Sequence, residues 1–371
     1  MGRALLLAEL LRDDADVRII GVQRGPSGWS PGSSFGVPVE SLPLSEANRY
    51  SKAAVGWLRE AVGDDFSIVS KPLPHSLGLA ILAGVVRRGR VLLDVDDWES
   101  GMCQLGATRS GSVARHGVDR LHSLVRRAGL NIFTLTCLLE QSARVIPHIV
   151  SNRWLQRRFG GPILYHVRNA QELDPEAAAA AAVPLDRRRV WVGFCGTPRP
   201  HKGVGALVEA LASFPAETGP GLILMGVGDA DNADVASAKA RLGERLLTLP
   251  QFPFTELPSY LALTDIIAIP SLDVPAARGQ IPAKLFDAMA MARPVVASAI
   301  NDIPEIASDA GLVVKPGDVG ELASAIRRLA ADADLRQRLG QNARAKFLAR
   351  FTHDSGRQVL RAAVGQAAVP G

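Results

Sequence analysis

The 371-residue chain holds three cysteines, Cys103, Cys137 and Cys195. Their odd number and lack of ligand spacing exclude a disulfide framework and a zinc site, and fit a reduced cytoplasm. Aromatic residues make up 5% of the chain. They do not interleave with the arginines, so a nucleic-acid partner lacks its stacking platform. No apolar run reaches the roughly 18 residues a membrane-spanning helix needs, and GLNIFTLTCLL is too short. Membrane contact, if any, is therefore expected to be peripheral. Nothing reads as a signal peptide. No HExxH, CxxC or Ser-His-Asp order is present, which leaves zinc and serine hydrolase chemistry without residues.

What is there is an ordinary globular composition, 47% hydrophobic and 21% charged, with 35 glycines and 24 prolines. The length exceeds what one core serves, so two domains are expected. The formal net charge of +5 is unevenly placed. Residues 1–170 carry 21 Lys/Arg against 15 Asp/Glu, whereas the remainder carries 21 against 22. Within 100–170 the balance is 10 to 2, the basic residues including Arg109, Arg115, Arg120, Arg126, Arg127, Arg153, Arg157 and Arg158. Such a field suits an acidic or lipid-linked partner, or an anionic membrane surface, and equally a solvated helix face.

Short apolar runs alternate with amphipathic stretches. VRIIGV, FSIVS, RVLLDV, ARVIPHIV and PILYHV read as strands in the first half; VWVGFC, GLILMG, RLLTL, DIIAIP, PVVAS and GLVVK do so in the second. Between them lie helical segments such as SLGLAILAGVVRR, VGALVEALASF and VGELASAIRRLAADADLRQRLGQNARAKFLARF. This alternation predicts an α/β chain of parallel sheets covered by helices. The expected organisation is two Rossmann-like, doubly wound domains facing a cleft: 1–170, a linker at 171–187, and 188–350. A terminal helix at 351–371 is expected to return to the first domain. The chain opens with a helix, MGRALLLAELL, where a doubly wound domain normally opens with a central strand. The expectation is that a strand and glycine loop are missing upstream, and that neighbouring strands lose a pairing partner.

GTPRPHKGV, Gly196 to Val204, follows an apolar strand and leads into a helix. Arg199 and Lys202 in that turn, with backbone N–H groups near Gly203 at the helix start, are what a diphosphate requires. An exposed basic turn is the alternative. Gly226 and Gly228 in MGVGD allow close backbone approach, or serve as turn residues. Farther on come TLPQFPFTELPSYLALTDIIAIPS, QIPAKLFDAMAMARPVVAS and IPEIASDAGLVVKPGD. In this order the blocks resemble the donor-nucleotide half of glycosyltransferase family 4, the retaining GT-B enzymes, over about 188–350. The first half fits more loosely, through SKPLPHSLGLAILA, VLLDVDDWE and SNRWLQRRFGGPILYHVRN.

The resemblance implies a nucleotide-diphosphate sugar as co-substrate, UDP- or GDP-linked, with no other cofactor and no metal. Arg199, Lys202 and Gly203 would hold the diphosphate; in the family the arginine stands where Thr197 is here. Asp287 matches the second acid of the family's E-x7-E pair and would bind the ribose. The first acid falls near Gly279 and is absent, so Gly279, Gln280, Ile281 and Pro282 are the expected donor-sugar and phosphate loop. Pro250, Gln251 and Phe252 would hold the base.

In the first half, VLLDVDDWES puts Asp94, Asp96 and Asp97 at a strand end. Asp96 lies about where relatives carry an acceptor-side histidine, and Asp96 or Asp97 could orient or deprotonate an acceptor hydroxyl. Two other readings remain: a D-x-D pair chelating Mg²⁺ or Mn²⁺, and the nucleophile motif of a haloacid-dehalogenase-type phosphohydrolase, with Trp98 where that motif wants Thr or Val. His75 in PLPHSLG is a further catalytic candidate or a plain helix-entry residue, with Ser76 as a possible cap. His166 and Arg168 are expected near the hinge. The overall expectation is a cytoplasmic retaining glycosyltransferase acting on a hydroxyl acceptor. The alternatives are a non-catalytic nucleotide-sugar binder and a GT-B-shaped nucleotide-sugar epimerase.

Overall fold

A computed structural model of the chain describes residues 2–23, 36–43, 51–108, 132–227 and 232–369. It divides into two compact units. Unit 1 comprises Met1–Tyr165, Arg278–Gln280 and Asp354–Gly371; unit 2 comprises His166–Ala277 and Ile281–His353. Gly228 and the arginines Arg109, Arg115, Arg120, Arg126 and Arg127 lie outside the described residues. Among the described residues no helix is long and apolar enough to cross a membrane.

Unit 1 begins with helix α1 (Gly2–Leu11), followed by β1 (Ile19–Gln23), β2 (Val39–Pro43), α2 (Lys52–Val62) and β3 (Ser67–Ser70). Then come α3 (Leu79–Leu82), β4 (Val91–Val95), α4 (Glu99–Thr108), α5 (Ile132–Gln141), β5 (His148–Val150) and α6 (Arg153–Phe159). All strand pairs are parallel, but the strands fall into two sheets, β1-β2 and β3-β4-β5. β4 is buried along its whole length, as its continuous VLLDV run requires of a central parallel strand.

Three details of this unit differ from the sequence reading. PILYHV makes only a bridge, Val150 to Ile163. The carbonyls of Leu164 and Tyr165 instead accept from the Arg3 guanidinium at 2.8 and 3.1 Å. SLGLAILAGVVRR stops being helical after Leu82, because Gly84 turns left-handed (φ 71°) and Val85 N closes back on Ala80 O at 2.9 Å. The strand β2 has an exposed, Pro-ended VESLP sequence with no alternation, so periodicity did not reveal it.

Unit 2 carries β6 (Trp191–Cys195), α7 (Val204–Ala212), β7 (Gly221–Met225), α8 (Ala233–Leu242), β8 (Leu246–Leu249) and α9 (Leu257–Leu261). It continues with β9 (Ile266–Ile269), α10 (Ala283–Ala290), β10 (Val295–Ser298), α11 (Ile303–Ile306), β11 (Gly311–Val314), α12 (Val319–Ala331) and α13 (Ala333–Arg350). A last helix, α14 (His353–Ala367), lies mostly in unit 1, where Arg357 donates to Leu10 O at 3.1 Å. Residues 171–187 contain neither helix nor strand. The long helical pattern after Asp318 breaks at Asp332, whose carboxylate accepts from Leu335 N at 2.8 Å and so starts α13.

The six strands of unit 2 run parallel in the order β11-β10-β9-β6-β7-β8. Its core gathers Val192, Phe194, Leu207, Leu222, Ile266 and Val296, all fully buried. Chain order reverses between β6 and β9, and the carboxyl side of such a switch point is where open sheets bind ligands.

Candidate active site

The loop after β6 and the helix after β9 place a group of cations at that switch point. Gly203 adopts φ 69°, and a Cβ there would overlap the carbonyl of Pro270. Its N–H faces Pro200 O at 3.4 Å. Gly203 therefore shapes the turn through its conformation and missing side chain. No side chain caps α7, so the N–H groups of its first turn remain open to an anion.

Arg199 is exposed in the turn. Lys202 Nζ donates to Thr197 O at 2.9 Å. Burial, then the Arg199 charge, pulls its pKa down to about 8. A third cation escaped the sequence reading. Lys284, in the first turn of α10, holds its ammonium 3.5 Å from the centre of the Phe194 ring. Burial, then repulsion from Lys202, lowers its pKa to about 7, against weaker support from Cys195 and Asp287. Two desolvated ammonium groups, one depressed by Arg199 and the other by its neighbour Lys202, form a site that an incoming diphosphate would stabilise. The signal for Lys284 was its position in the QIPAKLFDAMA block, one residue inside the helix.

Asp287 is buried at 5% exposure and accepts from Arg168 Nε at 2.6 Å. Burial raises its pKa, opposed first by Arg168 and then by Lys284. The expected ribose ligand thus already has a cationic partner. Arg168 also lies 5.4 Å from the Phe254 ring centre. Ile281 is buried at 2% exposure, and Pro282 precedes α10 as its N-cap. Pro250 and Gln251 are exposed, while Phe252 packs against Tyr260 with ring centres 4.3 Å apart. Gly226 has φ 75°, and its N–H donates to Leu249 O at 3.1 Å, fixing the adjacent turn.

Unit 1 holds a second cluster, at the end of β4. Here the three acids of VLLDVDDWES separate. Asp94 is fully buried and bound by Arg3, whose Nη2 lies 3.0 Å from Oδ1. Asp96, Asp97 and Glu99 converge instead on Lys71, which the sequence reading did not single out. Its Nζ lies 3.2 Å from Asp96 Oδ1 and 2.8 Å from Glu99 Oε1, and it also bonds Asp97. Lys71 takes a left-handed conformation, φ 71°, uncommon for a residue with a side chain. Burial disfavours its charge, but Asp97, Asp96 and Glu99 outweigh that and raise its pKa.

Burial, then Asp97, pushes Asp96 up to about 7 against the pull of Lys71. Burial also raises Glu99. The oxygens of Asp96, Asp97 and Glu99 lie within 4.8 Å of one another, close enough for a divalent cation. The Lys71 ammonium lies among them and supplies positive charge there, while Asp94, the first acid of the D-x-D pair, is bound by Arg3 instead. His75 is exposed in the π-helical turn Pro74–Gly78. Ser76 does not cap that turn; its hydroxyl donates to Ser70 O.

The segment Arg278–Gln280 belongs to this unit too. Gln280 Nε2 donates to Asp97 Oδ1 at 2.9 Å, and Gly279 O accepts from Asn152 Nδ2 at 2.8 Å. Gly279 has φ 74°, and a Cβ there would lie 2.8 Å from Trp98 Cβ and 3.0 Å from the Trp154 ring. The place of the absent glutamate is thus closed by two tryptophans.

Residues 189–332 match the family model described as glycosyl transferases, group 1. A D-inositol 3-phosphate glycosyltransferase from Mycobacterium sp. (strain JLS) is 30% identical over 159 residues, 42% of this chain and 35% of that protein. A 2-deoxystreptamine glucosyltransferase from Streptomyces kanamyceticus is 25% identical over 43% of this chain and 44% of its own length. The match thus spans less than half of these relatives. Among solved structures, the sucrose-phosphate synthase of Thermosynechococcus elongatus superposes with TM-score 0.69 at 18% identity, over 97% of this chain and 91% of that one. Anabaena Alr3699/HepE in complex with UDP-glucose gives TM-score 0.69 at 18% identity, over 98% and 95%. Residues 189–332 are therefore similar to the group 1 glycosyl transferases, and nearly the whole chain shares the fold of these two solved structures.

Proposed function

We propose that the protein is a retaining glycosyltransferase that moves a sugar from a nucleotide-diphosphate donor, UDP- or GDP-linked, to a hydroxyl acceptor. The observation that carries this is the pair Lys202 and Lys284 at the switch point of unit 2, two cations whose charge burial disfavours, with Lys202 lowering Lys284 further. Sugar transfer leaves a nucleotide diphosphate, so stabilising its developing charge is the main electrostatic task. In this reading Arg199, Lys202, Lys284 and the first turn of α7 hold the diphosphate. Asp287, oriented by Arg168, receives the ribose, and residues 250–252 face the base. The bond from the anomeric carbon to the diphosphate breaks. The acceptor oxygen bonds that carbon on the same face, and its proton passes to a phosphate oxygen.

Unit 1 supplies the acceptor side. Asp96 and Asp97 orient the acceptor hydroxyl, with Lys71 holding both carboxylates. The acceptor, whether polysaccharide, glycolipid or small molecule, a cytoplasmic location and peripheral membrane contact through the basic 100–170 segment belong to the proposal. The relatives named for D-inositol 3-phosphate and 2-deoxystreptamine support a small polyhydroxylated acceptor.

A second reading, a nucleotide-sugar binder without turnover, is favoured by Gly279 and the tryptophans that close the place of a glutamate. Incubation with UDP- and GDP-sugars separates the two. Release of the nucleotide diphosphate, lost in Lys202→Ala/Lys284→Ala, supports the enzyme; saturable binding without release supports the binder. No binding of any nucleotide sugar would remove both.

A further inference from the structure

We propose that unit 1 contains a second anion site, for a phosphate monoester, between the end of α5 and helix α6. It is independent of the donor site in unit 2. A cavity of about 390 Å³ is lined by Gln141, Arg144, Trp154, Arg157, Arg158 and Phe159. Three of the six lining residues are arginines and none is acidic. Among the described residues, none of these guanidinium groups is ion-paired to a carboxylate.

Helix-end electrostatics explains part of this arrangement. Arg157 and Arg158 lie in the last turn of α6, where cations offset the carbonyl end of the helix. That does not explain Arg144, which comes from the turn after α5 and lines the same cavity. Arg158 is also positioned in advance. Its guanidinium carbon lies 5.2 Å from the Trp98 ring centre, 5.7 Å from that of Trp154 and 5.5 Å from that of Phe159. The two tryptophan rings are themselves paired at 4.9 Å. Stacking restricts the side chain and leaves its N–H fork available, so less entropy is lost when an anion binds.

Glu140, whose charge couples to Arg158, is committed elsewhere. Its two oxygens accept from Ser100 N at 2.8 Å and Ser100 Oγ at 2.6 Å. Convergent guanidinium groups select carboxylate or phosphate through bidentate hydrogen bonds. Three such groups favour the dianionic phosphate monoester. The volume exceeds the ~30 Å³ share of a water many times over and falls in the range of small-molecule pockets. The ester is either free in solution or the headgroup of a lipid.

Calorimetric titration of the full chain with glucose 6-phosphate, with glucose as control, tests the soluble source. Flotation with vesicles containing phosphatidic acid, against neutral vesicles, tests the lipid source. We expect Arg144→Glu/Arg157→Glu to weaken one of these by roughly 10- to 100-fold, while Arg144→Lys/Arg157→Lys loses only a few-fold. Soluble-ester binding should also strengthen from pH 5 to pH 7.5, as the monoester passes its second ionisation near ~6. Loss with glucose 6-phosphate assigns a soluble ester, and loss with vesicles alone assigns a lipid headgroup. If neither probe depends on these arginines in a variant that melts like the parent, the site does not exist. UDP titrated into the same variant reads the donor site separately, so failure of either reading is visible on its own.

Discussion

Arg168 Nε donates to Asp287 Oδ1 at 2.6 Å, with both side chains largely buried. This pair joins the residue that enters unit 2 to the helix α10 that carries Lys284. Removing Arg168 would leave a buried carboxylate without its counter-charge. Arg168→Ala is expected to destabilise unit 2 by about 3–5 kcal/mol in urea unfolding at pH 7.5. Burial already holds Asp287 above the ordinary carboxylate value, and loss of Arg168 would raise it further. A carboxyl with a raised folded pKa is destabilising above that pKa and is relieved by protonation below it. The deficit should therefore shrink between pH 7.5 and pH 5. A constant deficit would mean that the arginine acts by packing rather than charge.

Lys202 and Lys284 give donor binding a defined pH dependence. Their pKa values in the free protein are about 8 and about 7. A bound diphosphate raises both, so binding at pH 7.5 takes up protons. Affinity is greatest where both lysines are already protonated, and falls as pH rises past about 7. Titrating a nucleotide sugar in two buffers of different ionisation enthalpy measures the uptake. Lys284→Met should abolish most of it and weaken binding roughly 10-fold. An unchanged uptake would place the diphosphate away from Lys284.

Lys71 separates backbone from charge effects. Lys71→Ala loses the cation that neutralises Asp96, Asp97 and Glu99, and keeps a Cβ at φ 71°. Lys71→Gly loses the same cation and relieves the left-handed conformation. Both should be destabilised at pH 7.5, with Lys71→Gly the more stable by about 1 kcal/mol. Protonation of Asp96, already near 7, should narrow both deficits at pH 5. Equal melting temperatures for the two variants would show that the backbone relaxes once the ion pairs are gone.

Restoring the acid of the family motif should fail here. Gly279→Glu places a side chain in a left-handed backbone against Trp98 and Trp154. The expected result is a lower melting temperature and no gain in sugar transfer. Gly279→Glu/Trp98→Ala, which opens space, is the informative control. A gain in transfer by the single variant would contradict the packing described for this loop.

The order of apolar runs and helical stretches was enough to place all six strands of unit 2; β7, β9 and β10, buried along their whole length, read as apolar runs, as strands covered on both faces do. GTPRPHKGV was legible for a similar reason: a glycine turn between strand and helix is encoded within nine neighbouring residues. The division of labour among Asp94, Asp96 and Asp97 was not legible. It depends on Arg3, 91 positions away from Asp94, and on Lys71, 26 positions away from Asp97. The sequence likewise singles out Asp287 as a candidate but not its bond to Arg168, and shows a helix at Lys284 but not the Phe194 ring beneath it. Local sequence determines which segment becomes strand, turn or helix. Burial and long-range charge decide which of several like residues is free to do chemistry, and both arise only when distant segments pack.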